Sequence, residues 1–190
     1  MAKKKIKSQQ KIIIASILVL FFLAGIGLSV WYKNQSASTQ FGQGSAGKVL
    51  RKTASLVLTT KDKKVARDES FTVKLVLDSG NQGVEAADFI VSFDPQFLQV
   101  RTLTPGNYFK TYPIKKTEGN TVKISGVAYF DGQSIIVPKG KGEVAEITFT
   151  AVSTIASTSI TIDREKTVVA SDGQNILNLS RITDLKIMVK

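Results

Sequence analysis

From residue 55 onward, apolar and polar side chains alternate with a period of two. Phe71, Val73, Leu75 and Leu77 share one parity while Thr72, Lys74 and Asp78 share the other. That is the pattern of a strand with one face on a core and the other in water. The same alternation runs through residues 56–58, 89–93, 98–100, 122–130, 145–151, 160–162 and 185–189. Turn-forming residues separate the runs: Ser79-Gly80-Asn81, Asp94-Pro95, Pro105-Gly106, Glu118-Gly119-Asn120, Asp131-Gly132, Lys139-Gly140 and Asp172-Gly173. Eight or nine short strands with no amphipathic helix between them predict an all-β, antiparallel β-sandwich.

One break in the pattern has a local explanation. Phe89, Val91 and Phe93 precede Asp94-Pro95, and Leu98 and Val100 follow it on one continuing apolar parity. Proline fixes φ near the value a type I turn needs, and the Asp side chain can accept from backbone N–H groups just downstream. The chain is expected to turn a corner there without losing its core face.

The first fifty residues follow another pattern. Residues 12–32, IIIASILVLFFLAGIGLSVWY, carry no charge; as a helix they would span about 31 Å, the thickness of a bilayer core. Lys3, Lys4, Lys5, Lys7 and Lys11 lie upstream and only Lys33 lies close downstream. The positive-inside rule then puts residues 1–11 in the cytoplasm as a basic tail. The expectation is a single-pass transmembrane signal anchor in a prokaryotic plasma membrane, with the C-terminal domain outside. The competing reading is a cleaved secretory signal, for which Ser36-Ala37-Ser38 is the available site. Residues 33–53 are rich in Gly, Ser, Gln and Thr and read as a flexible linker. Residues 54–190 make up the sandwich.

Charge and composition then narrow the chemistry. The net charge of +11 invites a nucleic-acid reading, but nine of the 26 Lys and Arg lie in residues 1–54, where there is no acid. From residue 55 onward 17 basic residues face 15 acidic ones, so the sandwich is not expected to bind nucleic acid. The chain has neither Cys nor His. This removes disulfides, thiolate nucleophiles, imidazole metal sites and the Ser-His-Asp and Cys-His triads. No catalytic residue is assigned: the carboxylate pairs Glu143/Glu146 and Asp163/Glu165 are each close together on an exposed parity, and the protein is expected not to be an enzyme. Asp78, Glu85, Asp88 and Asp94 lack the spacing of a calcium loop, so no metal site and no cofactor is expected.

The stretch ESFTVKLVLDSGNQGVEAADFIVSFDPQFLQVRTLTPG, followed by KGEVAEITFTAV, resembles the cohesin domain, the receptor module of cellulosomes and related surface assemblies. The shared features are an aromatic-x-x-x-aromatic-Asp-Pro corner, Leu-x-Val, Thr-Pro-Gly and a later Gly-x-x-Ala-x-Ile-x-Phe strand. The resemblance covers roughly residues 55–190. It implies a jelly-roll sandwich of about nine strands related to carbohydrate-binding domains, which captures dockerin modules and is associated with polysaccharide breakdown. Calcium would enter only through the dockerin partner. In that family an acidic residue one position before the aromatic of the strand preceding the corner helps hold the dockerin helix, and Asp88 stands there. Two further positions, often polar or acidic in the family, are Ala86 and Tyr129 here.

Two candidate surfaces follow. The outward parity Asp88 and Ile90, with Val127 and Tyr129 on the run that begins at Val122, forms a candidate partner-binding patch. The stretch GNYFKTYP puts Tyr108, Phe109 and Tyr112 in one connection, the best candidates for stacking on a polysaccharide if the domain is instead a carbohydrate-binding module. The same aromatics would serve equally to plug the open end of the sandwich. The expected partners are therefore a dockerin-like protein module or a polysaccharide, and the lipid bilayer through residues 12–32.

Overall fold

The structure, a computed structural model, describes residues 50–190. The expected basic tail, membrane span and nearly all of the linker lie outside the described residues. Period-two alternation becomes strand through most of the expected runs. The strands are β1 (Ala54–Thr59), β2 (Lys64–Val65), β3 (Ser70–Asp78), β4 (Ala86–Ser92), β5 (Leu98–Pro105), β6 (Thr111–Glu118), β7 (Thr121–Val127) and β8 (Tyr129–Phe130). They continue as β9 (Ile135–Ile136), β10 (Lys141–Ala151), β11 (Ile155–Ile162), β12 (Val168–Ser171), β13 (Gln174–Asn175), β14 (Leu177–Thr183) and β15 (Leu185–Val189). Among the described residues there is no helix.

These strands make two packed sheets and a small ribbon. The first sheet has the order β14-β1-β3-β10-β5. In the second, β4 is central: β7 runs along one edge of it with β6 outside, while β12 and β11 share the other edge. A turn at residues 163–167 separates β11 from β12, and Thr167 Oγ1 accepts from the Ile90 amide at 3.2 Å. β15 and then β2 extend this sheet beyond β11. Two pairings, β1 with β14 and β15 with β2, are parallel, so the expected purely antiparallel sandwich is corrected to a mixed one. The run expected as one strand from Val122 to Phe130 is also two: β7 stops at Val127, Ala128 donates to the Glu85 carbonyl at 2.7 Å, and β8 pairs with β9 apart from both sheets.

The inward parities interdigitate between the sheets. Leu56, Val73, Leu75, Leu77, Ile147 and Phe149 from the first meet Phe89, Val91, Ile124, Ile160 and Ile187 from the second, all essentially without solvent contact. Phe149 is the pivot, stacked on Phe71 at 5.8 Å and edge-on to Phe93 at 5.4 Å. Each fully buried aliphatic or aromatic side chain of this kind contributes about 1.5–3 kcal/mol by leaving water. Among the described residues the buried core runs from Ala54 to Val189 with Leu50 packed against it, and Val49–Lys190 forms a compact unit by itself.

The Asp94-Pro95 corner carries the chain from β4 in one sheet to β5 in the other. Asp94 Oδ1 accepts from the Gln96 amide at 2.9 Å and the Asp94 carbonyl accepts from Leu98 at 2.9 Å. Phe93 and Leu98 are both buried, so the apolar parity persists across the change of sheet.

Candidate functional site

The alternation of β4 sends Ala87, Phe89 and Val91 inward and leaves Ala86, Asp88, Ile90 and Ser92 on the outer surface. Register with the neighbouring strands then fixes what surrounds them. Across β7, Ala86 faces Val127, Asp88 faces Ser125, Ile90 faces Lys123 and Ser92 faces Thr121. On the opposite edge Asp88 faces Val168 of β12, and beyond β7 Ser125 faces Ile114 of β6. Directly opposed residues share a face. A single row, Val168–Asp88–Ser125–Ile114, therefore crosses four strands.

Asp88 is the polar centre of that row. The Ser125 hydroxyl donates to Asp88 Oδ1. Among the described residues no cation forms an ion pair with Asp88. An ionised carboxylate accepts at about four lone-pair sites, so this one keeps acceptor capacity turned to the outside. Val168 and Ile114, at the two ends of the row, are 37% and 42% exposed. Toward the Asp94 corner the face is charged: Glu118 pairs with Lys116 at 2.6 Å and Lys123 at 2.8 Å. Lys116, then Lys123, holds the Glu118 carboxyl down to about 2.

Of the four sequence-assigned partner residues, the structure brings Asp88, Ile90 and Val127 together on this face. Tyr129 sits beyond the end of β7, in the β8–β9 ribbon, where it pairs with Ile136 and has Lys110 Nζ 4.5 Å from its ring centroid. Ile114 and Val168 were not singled out from the sequence. Ile114 follows a proline in a strand with no buried position, and Val168 joins the row only because the turn at 163–167 swings β12 onto the edge of β4. Neither arrangement leaves a periodic signal.

The three aromatics considered for polysaccharide contact lie elsewhere. Tyr108 and Phe109 are 7% and 3% exposed and belong to the core cluster, with Tyr112 packed against it. Tyr108 meets Phe109 edge-on at 4.9 Å, Phe109 meets Tyr112 edge-on at 5.7 Å, and Phe89 lies behind Phe109 at 6.5 Å. The Tyr108 hydroxyl donates to Ser79 Oγ at 2.9 Å, and burial pushes both tyrosine hydroxyls above their ordinary pKa. Gly126 makes room for this plug: a Cβ there would stand 2.2 Å from the Phe109 ring. The rings close the end of the sandwich between β5 and β6, so the faces of Tyr108 and Phe109 are not offered to a ligand.

Asp78, Asp163, Glu143 and Glu146 are committed to local structure. Asp78 Oδ1 accepts from Gly80 at 2.9 Å, and Asp163 Oδ1 accepts from Glu165 and Lys166 at 3.0 Å each. Those turn amides, Lys166 first, keep Asp163 below the usual carboxylate range. Glu143 and Glu146 both hold Lys74, at 2.7 and 2.6 Å. Among the described residues no group of three or more acidic side chains is placed to hold a metal ion.

With the fold and face described, comparison with known proteins gives the class. The family model of the cohesin domain matches residues 55–189, and the chain belongs to that family. No curated protein matches it. Among solved structures it is similar to the cohesin module of a family 33 glycoside hydrolase from Clostridium perfringens, at 16% identity and a TM-score of 0.56 over 73% of this chain and 98% of that one. It is also similar to a non-cellulosomal cohesin from the archaeon Archaeoglobus fulgidus, at 16% identity and a TM-score of 0.54 over 72% and 91%. A third likeness is to the third cohesin of ScaC from Acetivibrio cellulolyticus, solved in complex with the ScaB dockerin, at 19% identity and 0.54 over 70% and 98%. At these identities the likeness carries the fold.

Proposed function

We propose that the domain is a non-catalytic receptor that captures a dockerin-like protein module across the outer face of β12, β4, β7 and β6. The observation that supports this reading is the row Val168–Asp88–Ser125–Ile114. It pairs an acceptor that no cation satisfies with exposed apolar side chains on either side, the composition of a protein-binding centre rather than of a solvated sheet. Asp88 would accept hydrogen bonds from the partner, Ile90, Val127, Val168 and Ile114 would supply apolar contact, and Tyr129 would lie at the rim. Residues 12–32 would anchor the receptor in the plasma membrane with the sandwich on the outer side. Calcium would come with the partner, as the family resemblance implies. No observation favours a polysaccharide ligand once Tyr108 and Phe109 are in the core.

Calorimetry of residues 50–190 against a panel of calcium-loaded dockerin modules tests the receptor role. Binding that weakens by about tenfold or more in Asp88→Ala supports it, since a hydrogen bond to a charged group contributes about 1.5–3 kcal/mol. Binding to none of the panel, or binding that ignores Asp88, Ile114 and Val168 alike, overturns it. Alkaline extraction of the full-length chain tests the anchor: the chain should stay with the membrane fraction, and a soluble form beginning near Ser38 would overturn anchoring.

A further inference from the structure

Six large apolar side chains are exposed among the described residues, and the two most exposed, Ile135 at 70% and Phe130 at 66%, belong to neither sheet. They are cross-strand partners on the β8–β9 ribbon. The tip that joins them is well built: Asp131 Oδ1 accepts from Gln133 and Ser134 at 2.9 Å each, the Asp131 amide donates to the Ser134 carbonyl at 3.1 Å, and Gly132 takes φ of 101°. An ordered ribbon thus carries its largest apolar pair away from the core.

Both feet of this ribbon sit where the chain enters the domain. Ala128 donates to the Glu85 carbonyl, and Val84 donates to the Pro138 carbonyl at 2.8 Å, tying the ribbon to residues 79–85. In that same segment Gln82 Nε2 donates to the Arg51 carbonyl and to Thr53 Oγ1, both at 3.0 Å. Arg51, Lys52, Lys110, Lys139 and Lys141, all exposed, border this end, and none forms an ion pair among the described residues. Asp78, Glu85 and Asp131 also lie at this end, and the five basic side chains outnumber them, leaving a positive excess.

We infer that the β8–β9 ribbon is a membrane-contact element, with Phe130 and Ile135 entering the headgroup region of an anionic bilayer beneath a ring of basic side chains. An apolar tip with an excess of Lys and Arg beside it has the chemistry of an interfacial segment. The place where the described chain begins supplies the geometry. Residue 50 emerges at the ribbon end, and a Gly/Ser-type chain as long as residues 33–49 spans only about 20–25 Å r.m.s.. If residues 12–32 cross the bilayer, the ribbon end is held at high local concentration over lipid, and a modest apolar pair is then sufficient to dock it. The inference rests on the anchoring part of the reading above.

The experiment uses residues 50–190, so that its result does not depend on whether residues 12–32 span a membrane. The chain's single tryptophan is Trp31, so Phe130→Trp places a lone tryptophan, selectively excited beside Tyr108, Tyr112 and Tyr129, at the tip of this fragment. With phosphatidylcholine vesicles containing a quarter phosphatidylglycerol, its emission should move to shorter wavelength and be quenched by brominated acyl chains. In sedimentation with the same vesicles, Phe130→Ser combined with Ile135→Ser should lower partitioning of the fragment by about tenfold or more, and Lys139→Glu combined with Lys141→Glu by several-fold. Solvent-like emission at all lipid concentrations, or partitioning that the serine variant does not alter, overturns the inference. So does a ribbon that proves instead to join two copies, seen as a dimer in ultracentrifugation that the serine variant dissolves. A fragment that docks on vesicles while the full-length chain fails alkaline extraction would keep the ribbon contact and remove the anchor.

Discussion

The two sheets expose outer faces that solve the same problem in opposite ways. On the five-stranded sheet the outward side chains close on one another: Lys74 lies between Glu143 and Glu146, and Thr72, Thr148 and Thr102 line up across three strands. Two carboxylates keep the Lys74 ammonium charged, with Glu143 the stronger cause of its raised pKa. On the sheet around β4 the row through Asp88 stays open, with one intramolecular hydrogen bond at its centre and exposed Ile114 and Val168 at its ends. A face whose charges are mutually satisfied has little left to offer a partner. A face that leaves a carboxylate and apolar groups unmatched retains binding energy for one.

The sharpest way to break this comparison uses opposite parities of one strand. Phe89→Ala, on the inward side of β4, empties a fully buried site against Phe109 and should cost about 3–5 kcal/mol, read as a large fall in thermal midpoint. Asp88→Ala, one residue away on the outward side, should leave that midpoint nearly unchanged while weakening partner capture by about tenfold or more. Equal destabilisation by the two changes would mean that the β4 face is structural.

A smaller effect separates the two faces directly. Ile114→Ser with Val168→Ser should weaken capture several-fold, whereas Thr72→Ala with Thr148→Ala on the opposite sheet should leave it within error; calorimetry with one dockerin-type partner reads both. Loss of capture in the threonine pair would move the site to the other sheet. The smallest effect concerns charge. Because Lys116 and Lys123 depress Glu118 from 4.5 to about 2, the stabilisation from that network is present above the unfolded-state value and is lost as pH falls through about 2. The difference in thermal midpoint between the wild type and Glu118→Gln should therefore persist at neutral pH and vanish in the acid range. Since these side chains are at the surface, the difference should be small and shrink with added salt.

Much of the fold was legible because one physical rule, burial of alternate residues, wrote most of it. The strands expected at residues 71–77, 89–93 and 145–151 form, and the Asp94-Pro95 corner turns as its residues require. What escaped has identifiable causes. β6 has no buried position to mark it, and β14 is bulged: between Ala54 and Leu56 of β1 the paired residue in β14 jumps from Leu177 to Ile182, so Leu179 ends exposed and the alternation fails. The candidate site was half legible. Asp88 and Ile90 follow from parity, but Ile114 and Val168 join them through register between strands far apart in the chain, which no local pattern encodes. The aromatic cluster at Tyr108 was ambiguous for a plainer reason: the same side chains suit a sugar or a plug, and only the space opened by Gly126 and Gly142 selects the plug.

The position of β1 has a mechanical consequence. It is the first strand of the domain, yet it lies inside its sheet, antiparallel to β3 on one side and parallel to β14 on the other. A pull delivered through residue 50 is therefore directed along β1 and strains both ladders in shear, so that many backbone bonds share the load at once. Had the chain entered through an edge strand, the same force could have peeled bonds away one at a time. A domain held by its N-terminal side while its other sheet grips a partner would in this way meet tension with its most resistant geometry.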